Sequence, residues 1–102
     1  MANSFKNYVT SQIGVTGQGV YTVPTGTTSV MIGCNIANVS ASTINIDVLI
    51  KGVYLVKGVI LPAGSAISVL DGKVILEAGD TVFVESDTAT SADVIVSVLE
   101  QT

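Results

Sequence analysis

The clearest pattern in the chain is an alternation of apolar and polar residues near its middle. Ile44, Ile46, Val48 and Ile50 are separated by residues that are mostly polar. Successive side chains of a strand point to opposite faces, so this spacing predicts a strand with one buried face and a strongly specified register. Leu49 departs from the pattern, because it is a large apolar residue on the face predicted to be polar.

A second alternating strand is predicted near the end of the sequence. Val94, Val96 and Val98 fall on the face that we expect to be buried. Ile95 and Leu99 fall on the opposite face, beside polar neighbours. The strand therefore has a valine side for the core and a mixed side with two large apolar residues.

The longest strand candidate covers residues 29–39. Its alternation predicts an apolar face that includes Cys34, and a second face of mostly small residues that would let a neighbour approach closely. Free cysteine is among the most buried residue types, so we expect Cys34 to be a buried and inert thiol. The first face contains Val30, Ile32, Cys34 and Ile36, and the second contains Met31, Gly33, Asn35 and Ala37.

Turn signals divide the chain between these strands. Residues 60–86 contain two similar units, ILPAGS and ILEAGD, and each Ala-Gly pair predicts a sharp corner that leads into a strand. The segment PTGT at residues 24–27 predicts a corner of the same type. Between the two units, Asp71-Gly72 predicts a tight hairpin with positive φ at Gly72, because a type I′ turn needs positive φ at both central residues.

These signals together predict an all-β chain of about nine short antiparallel strands. Strands with turn signals at roughly ten-residue spacing are typical of a single β-sandwich, here expected to be jelly-roll-like. The length predicts one domain over residues 1–102, with residues 1–18 as a candidate for a partly extended arm. A chain of this length buries roughly two thirds of its unfolded surface, so it can hold a core without metal or disulfide.

The charge is sparse and acidic. The net charge is −4, and only 12% of the residues are charged. Phosphate binding needs clustered cations, so nucleic acid is not an expected partner. No apolar run approaches the ~18 residues of a membrane span, so no membrane partner is expected. The first residues lack the order of a signal peptide, which predicts synthesis in the cytoplasm. So few charges predict a surface that is partly covered by another protein.

Candidate catalytic chemistry is sparse as well. The sequence contains no histidine, which removes the usual general base and the commonest metal ligand. Asp80, Glu85, Asp87 and Asp93 lie close together in the sequence and predict a solvated acidic rim, with a weak calcium site as the alternative. We therefore expect no enzyme, no catalytic residues and no cofactor.

Three apolar residues on predicted polar faces are our candidates for an interface: Leu49, Ile95 and Leu99. Single exposed leucines are ordinary in folded proteins, so the interface hypothesis depends on whether these three residues converge. Among the aromatic residues, we predict Phe83 in the core and the tyrosines half-buried, with their hydroxyls in water.

Four segments of the chain carry a resemblance to a known group of proteins. They read NYVTSQIG, VYTVPTGTTSVMIGCNIANVS, ILPAG and KVILEAGDTVFVESDTATSADVIVSVLE, and together they cover nearly the whole chain. The most specific parts are LEAGD at residues 76–80 and the closing segment at residues 91–100. With these segments the chain resembles small structural proteins of tailed bacteriophages, many of them from cyanophages and other environmental phages.

The resemblance implies a non-enzymatic virion protein that is synthesised in the host cytoplasm. It implies other virion proteins as partners and either a homo-oligomer or a many-copy lattice. Our first expectation is a capsid decoration or cement protein that binds the major capsid protein. The alternatives are a neck, tail or fibre-associated component and a glycan-binding module on the virion. A glycan site would require tyrosines and acids to converge in one cleft.

Overall fold

Nine β-strands make up the part of the chain that the structure, a computed structural model, describes: residues 3–70 and 72–102. Among these residues no helix occurs, and hence none with the length and apolarity to cross a membrane. The predicted all-β fold of about nine strands is confirmed. The strands are β1 (Asn3–Ile13), β2 (Gln18–Thr22), β3 (Thr28–Asn38), β4 (Ile44–Ile50), β5 (Val53–Leu61), β6 (Ala66–Ser68), β7 (Val74–Leu76), β8 (Thr81–Ser86) and β9 (Ala92–Gln101).

The strands form two antiparallel sheets that pack face to face as a β-sandwich. Sheet A has the order β1-β9-β3-β6, with β7 also paired to β3, and sheet B has the order β2-β8-β4-β5. Both sheets are the expected result of strands that are apolar on one side, because each sheet must bury that side against another layer.

The topology is that of one long antiparallel ribbon folded over on itself. Along the ribbon, β4 pairs with β5, β3 with β6 and β7, β2 with β8, and β1 with β9. The two halves of the ribbon then meet where β3 pairs with β9 and β4 pairs with β8. This wrapped ribbon is the jelly-roll-like arrangement that the strand pattern predicted.

The ribbon reverses direction at Lys51 and Gly52. Ile50 pairs with Val53, so two residues form the loop. Lys51 has φ 55° and Gly52 has φ 75°, which meets the requirement of a type I′ turn for positive φ at both central residues. Lysine is uncommon in this conformation, so the dipeptide is a weaker sequence signal than Asp-Gly.

The hairpin predicted at Asp71-Gly72 is wrong. β6 pairs with residues 35–37 of β3 and β7 pairs with residues 29–31, both antiparallel, so β6 and β7 run in the same direction along one edge. They are two segments of an interrupted edge strand. Gly72 does have the predicted positive φ, at 98°, whereas Asp71 lies outside the described residues. The positive φ shifts the chain between the segments and does not reverse it.

Three predicted glycine corners carry the chain from one sheet to the other. Gly26, Gly64 and Gly79 have φ values of 75°, 72° and 89°. At each corner the amide after the glycine donates to the carbonyl three residues earlier, at 3.2, 3.1 and 3.0 Å respectively. The corners connect β2 to β3, β5 to β6 and β7 to β8, and each of these connections changes sheets.

The core lies between the sheets and consists largely of the residues that alternation predicted. Ile44, Ile46 and Val48 are fully buried, which confirms the inward face of β4. Val96 and Val98 are also fully buried, which confirms the inward face of β9. Eight further large side chains belong to the fully buried part of the core: Ile13, Val23, Met31, Ile36, Leu76, Val82, Val84 and Val94.

The predicted faces of β3 are wrong in the first half of the strand. Met31 is buried and Ile32 is exposed, whereas Cys34 and Ile36 are buried as predicted. The pairing of β3 with β9 shifts register between Met31 and Gly33. A bulge of this kind adds one residue to a strand and changes the phase of its alternation, so Ile32 faces away from the core.

Two aromatic residues also lie in environments opposite to those predicted. Phe83 is exposed, because its neighbours Val82 and Val84 take the inward positions of β8. Tyr21 is buried, and its hydroxyl has a protein partner in place of water.

Candidate interaction surface

The outward face of sheet A carries an apolar row that crosses four strands. Directly opposed residues of antiparallel strands share a face and contact each other. The two ends of the row are the most exposed, at 76% for Phe5 and 70% for Ile75. The register places Phe5 opposite Leu99, Leu99 opposite Val30, and Val30 opposite Ile75.

A second apolar pair, Val9 and Ile95, lies further along β1 and β9 on the same face. Both side chains are exposed, as is Ile32 at the bulge of β3. Between the row and the pair, Ser97 Oγ donates a hydrogen bond to Asn7 Oδ1 at 2.9 Å. We call the apolar residues of this surface the sheet A face: Phe5, Val9, Val30, Ile32, Ile75, Ile95 and Leu99.

The strands that carry the sheet A face have little outward charge. Within these strands, as far as the structure describes them, Asp93 is the one charged residue on the outer side, and its Oδ1 accepts a hydrogen bond from the Gln12 amide at 3.1 Å. The other two charged residues, Lys6 and Glu100, lie on the inner side, where they form an ion pair. An apolar surface with so little charge is suited to burial against another protein.

The three predicted interface residues do not converge. Ile95 and Leu99 belong to the sheet A face, but Leu49 lies on the outer side of sheet B between Tyr54 and Phe83. The outer sides of the two sheets face opposite directions, so Leu49 cannot share a patch with the other two. Ile95 is exposed, and Leu49 and Leu99 are half-buried.

The outer side of sheet B combines aromatic residues with charges. The ring of Phe83 lies over Gly19, where an added Cβ would be 3.8 Å from the ring carbon Cε1. Asp47 stands directly opposite Glu85 on neighbouring strands, and opposed like charges destabilise a sheet. Asp47 Oδ1 accepts a hydrogen bond from the Gly58 amide at 2.6 Å. Water reduces such repulsion, so this side is suited to solvent.

A buried carboxylate cluster, which the sequence analysis missed, joins the two sheets at the β1 edge. Glu100 is 4% exposed, and its Oε2 accepts hydrogen bonds from Tyr8 Oη at 2.8 Å and Tyr21 Oη at 2.6 Å. Lys6 Nζ lies 3.2 Å from Glu100 Oε1. A sequence signal existed, because the period of Val94, Val96 and Val98 continues to position 100 and places a glutamate on the inward side.

The electrostatics of this cluster keep the carboxylate charged and the hydroxyls protonated. The hydrogen bond from Tyr21 lowers the pKa of Glu100 against the opposing effect of burial, and Tyr8 and Lys6 lower it further. Burial raises the pKa of Tyr21 to about 12, and the bond to Glu100 adds to the rise. The cluster brings tyrosines and an acid together, but inside the fold. It therefore fastens β1 to β2 and β9 and does not form the open cleft that a glycan site requires.

Three of the four acidic residues considered for calcium, Asp80, Asp87 and Asp93, accept hydrogen bonds from backbone amides. Asp80 Oδ2 accepts a hydrogen bond from the Glu77 amide at 2.8 Å and lies 3.4 Å from Lys51 Nζ. Asp87 Oδ1 accepts one from the Asn45 amide at 3.0 Å. Across residues 3–70 and 72–102, the structure shows no group of three or more His, Cys, Asp or Glu side chains able to hold a metal ion.

The lone cysteine is buried, as predicted. Cys34 is 1% exposed, and burial raises the pKa of its thiol to about 11. The thiolate is the reactive form of cysteine, so this side chain is inert near neutral pH.

Comparison with known proteins supports the fold without indicating a family. No protein-family model matches the chain. No curated protein matches it either. It is similar to a solved structure described as "Bacillus endospore appendages form a novel family of disulfide-linked pili", with a TM-score of 0.57 and 12% sequence identity. The alignment covers 98% of this chain and 88% of that chain. At this identity the similarity shows a shared β-sandwich architecture.

Proposed function

We propose that this protein is a non-enzymatic structural component of a bacteriophage virion, and that it decorates or cements the capsid shell. The observation that carries the proposal is the sheet A face, an apolar surface that crosses β1, β9, β3 and β7. Contiguous apolar surfaces on folded domains mark interaction sites. The resemblance of the sequence to small structural proteins of tailed bacteriophages supports the virion as the setting.

The chemistry of the two outer sides supports one direction of attachment. The sheet A face contacts the major capsid protein, and the charged side of sheet B, with Asp47 and Glu85, faces solvent. Many copies bind one shell, so modest affinity at each contact adds up through multivalency. The absence of histidine from the sequence supports a role that depends on shape and burial and not on catalysis.

A neck, tail or fibre-associated component is the second candidate. It is favoured by the similarity to the endospore appendage structure, since that structure is described as a pilus, and a pilus, like a tail or fibre, is an elongated appendage. The disulfide links of those pili find no counterpart in the buried Cys34 of this chain. The number of copies per particle separates the candidates, because hundreds of copies indicate the shell and a small number indicates the neck or tail.

The test compares two isoleucines of equal exposure on opposite sides of the sandwich. Ile75 on β7 belongs to the sheet A face and is 70% exposed, and Ile60 on β5 lies on the outer side of sheet B and is 69% exposed. Both Ile75→Asp and Ile60→Asp should leave the isolated domain folded. The readouts are the quantitative protein composition of purified virions and a thermal melt of the free domain.

Ile75→Asp should reduce incorporation into particles and Ile60→Asp should not. Removing an anchor residue typically weakens binding by about 2 kcal/mol or more, which corresponds to more than about tenfold in affinity. Equal incorporation of both variants would reject the sheet A face as the contact surface. Equal loss of incorporation with both variants would show that attachment to the capsid is not specific to the outer side of sheet A.

A further inference from the structure

The β1 edge of sheet A is the longest open strand edge in the sandwich. β1 has eleven residues, and in the part of the chain that the structure describes β9 is its one partner strand. The opposite edge of sheet A consists of β6 and β7, with three residues each. Unpaired N–H and C=O groups along an edge are a template for another extended strand.

Between Asn3 and Thr10, β1 lacks the features that commonly protect an edge from pairing; its one irregularity lies beyond this segment, between Thr10 and Ile13, where Gln12 has φ 59°. It contains neither proline nor glycine, and its one charged residue, Lys6, is engaged by Glu100. Its register with β9 is unbroken from Asn3 to Thr10. The nine-residue edge strand β5, by contrast, shifts register twice against β4 and has Gly58 at φ 65°. Bulges and charges are the usual means by which proteins block edge pairing.

We propose that β1 pairs antiparallel with β1 of a second copy, across a two-fold axis at Asn7. This register is self-complementary in side chains as well as in backbone. It places Phe5 opposite Val9 of the second copy, and aromatic and β-branched residues form favourable cross-strand pairs. It also places Lys6 opposite Tyr8 of the second copy, and Asn7 opposite itself.

Neighbouring registers are poorer matches. An axis at Lys6 would oppose two lysines, and like charges directly opposite each other destabilise a sheet. An axis at Tyr8 would oppose Val9 to Asn7 and Phe5 to Ser11, so each apolar residue would face a polar one. The axis at Asn7 therefore satisfies both the apolar and the charged positions of the strand.

The second copy covers side chains that are open in the single domain. Phe5 is 76% exposed and Val9 is 72% exposed. In the paired sheet, the row Leu99–Phe5 of one copy continues into Val9–Ile95 of the other, so the sheet A faces become one surface. A two-fold interface repeats every contact twice, which favours a second copy over an unrelated strand.

The pairing goes beyond the proposed virion role, and either can fail without the other. The experiment uses the full chain with Asn7→Cys under mild oxidation. Opposed residues of antiparallel strands have Cα atoms about 4.5–5.5 Å apart, within the range of a disulfide. Ser11→Cys is the matched control, since Ser11 is also an exposed residue of β1, yet two copies of Ser11 would lie about 27 Å apart. The native Cys34 is buried and does not compete.

We expect Asn7→Cys to form a disulfide-linked dimer and Ser11→Cys to form no disulfide link under the same conditions. Sedimentation of the wild-type chain should show a dimer, and Val9→Lys should convert it to a folded monomer. A wild-type monomer in sedimentation, equal cross-linking of the two cysteine variants, or a dimer that survives Val9→Lys would each overturn the proposal.

Discussion

Replacing Glu100 by glutamine should destabilise the protein at neutral pH more than any comparable surface change. Glu100 is buried, and its carboxylate accepts hydrogen bonds from Tyr8 and Tyr21. A glutamine has nearly the same shape but a single acceptor oxygen. The substitution therefore keeps the packing and leaves one oxygen that can accept from both hydroxyls, as Oε2 does, but it removes the charge that strengthens these bonds and places an amide beside Lys6.

The magnitude follows from these two buried bonds. A hydrogen bond to a charged group contributes about 1.5–3 kcal/mol, and an unsatisfied buried polar group costs about 1–3 kcal/mol. Glutamine weakens both bonds to about half their strength, because they no longer involve a charge, and it directs its amide at the Lys6 ammonium, which also donates. We therefore expect a loss of about 2–4 kcal/mol in the free energy of unfolding. Lys6 adds little to this loss, because its side chain is 53% exposed and its ion pair is screened by water.

The pH dependence gives a second test of the same reasoning. The pKa of Glu100 is lowered in the folded protein, so its contribution is present above the unfolded value near 4.5 and is lost as the pH falls through the folded value. Protonated Glu100 resembles glutamine. The stability difference between the wild type and Glu100→Gln should therefore be large at neutral pH and shrink in acid. Urea unfolding, followed by tyrosine fluorescence, measures both values.

Glu77→Gln is the matched control, because Glu77 also pairs with a lysine but its side chain is 75% exposed. Exposed ion pairs contribute little to stability, so this variant should unfold close to the wild type. The reasoning is refuted if Glu100→Gln is as stable as Glu77→Gln at neutral pH. It is also refuted if the gap to the wild type persists unchanged in acid.

Three further predictions follow from the fold. Gly52→Val should lower the free energy of unfolding by about 1–2 kcal/mol, because Gly52 has φ 75°, and Gly72→Val should also lower it, because Gly72 has φ 98°. Unchanged midpoints of urea unfolding would contradict this prediction. The pKa of Tyr21 rises from about 10 in the unfolded chain to about 12 in the folded protein, so its contribution to stability is complete below pH 10 and is lost as the pH approaches 12. The free energies of unfolding of the wild type and Tyr21→Phe should therefore converge over that range, and a constant difference between them would contradict this prediction. Far-UV circular dichroism should show less than about a tenth helix, and a helical double minimum would reject the fold.

Regular alternation made the two best-predicted strands accessible from the sequence. β4 and β9 keep a period of two along their cores, so Ile44, Ile46, Val96 and Val98 could be assigned to the interior directly. β3 broke the same rule, because its bulge shifts the phase between Met31 and Gly33. A bulge depends on how two strands pair, which local residue types do not reveal.

The candidate surface was only partly predictable for a related reason. Periodicity shows that Leu49, Ile95 and Leu99 point outward, but not from which sheet they point. Sheet membership depends on the wrapping of the ribbon, which puts β4 and β9 in different layers. The Glu100 cluster was harder to foresee, since Tyr8 and Glu100 are 92 positions apart and meet only through the long-range pairing of β1 with β9.

The same register that closes the core also aligns the sheet A face, and this separates stability from assembly. Side chains alternate between the two sides of each strand, so the ladder that places Met31 opposite Val98 inside the sandwich places Val30 opposite Leu99 outside it. The core is already closed by fully buried residues, so the outer row adds little to the stability of the single domain. A polar substitution at Ile75, which lies away from the β1 edge, should therefore impair contacts with other chains while the melting temperature stays close to that of the wild type.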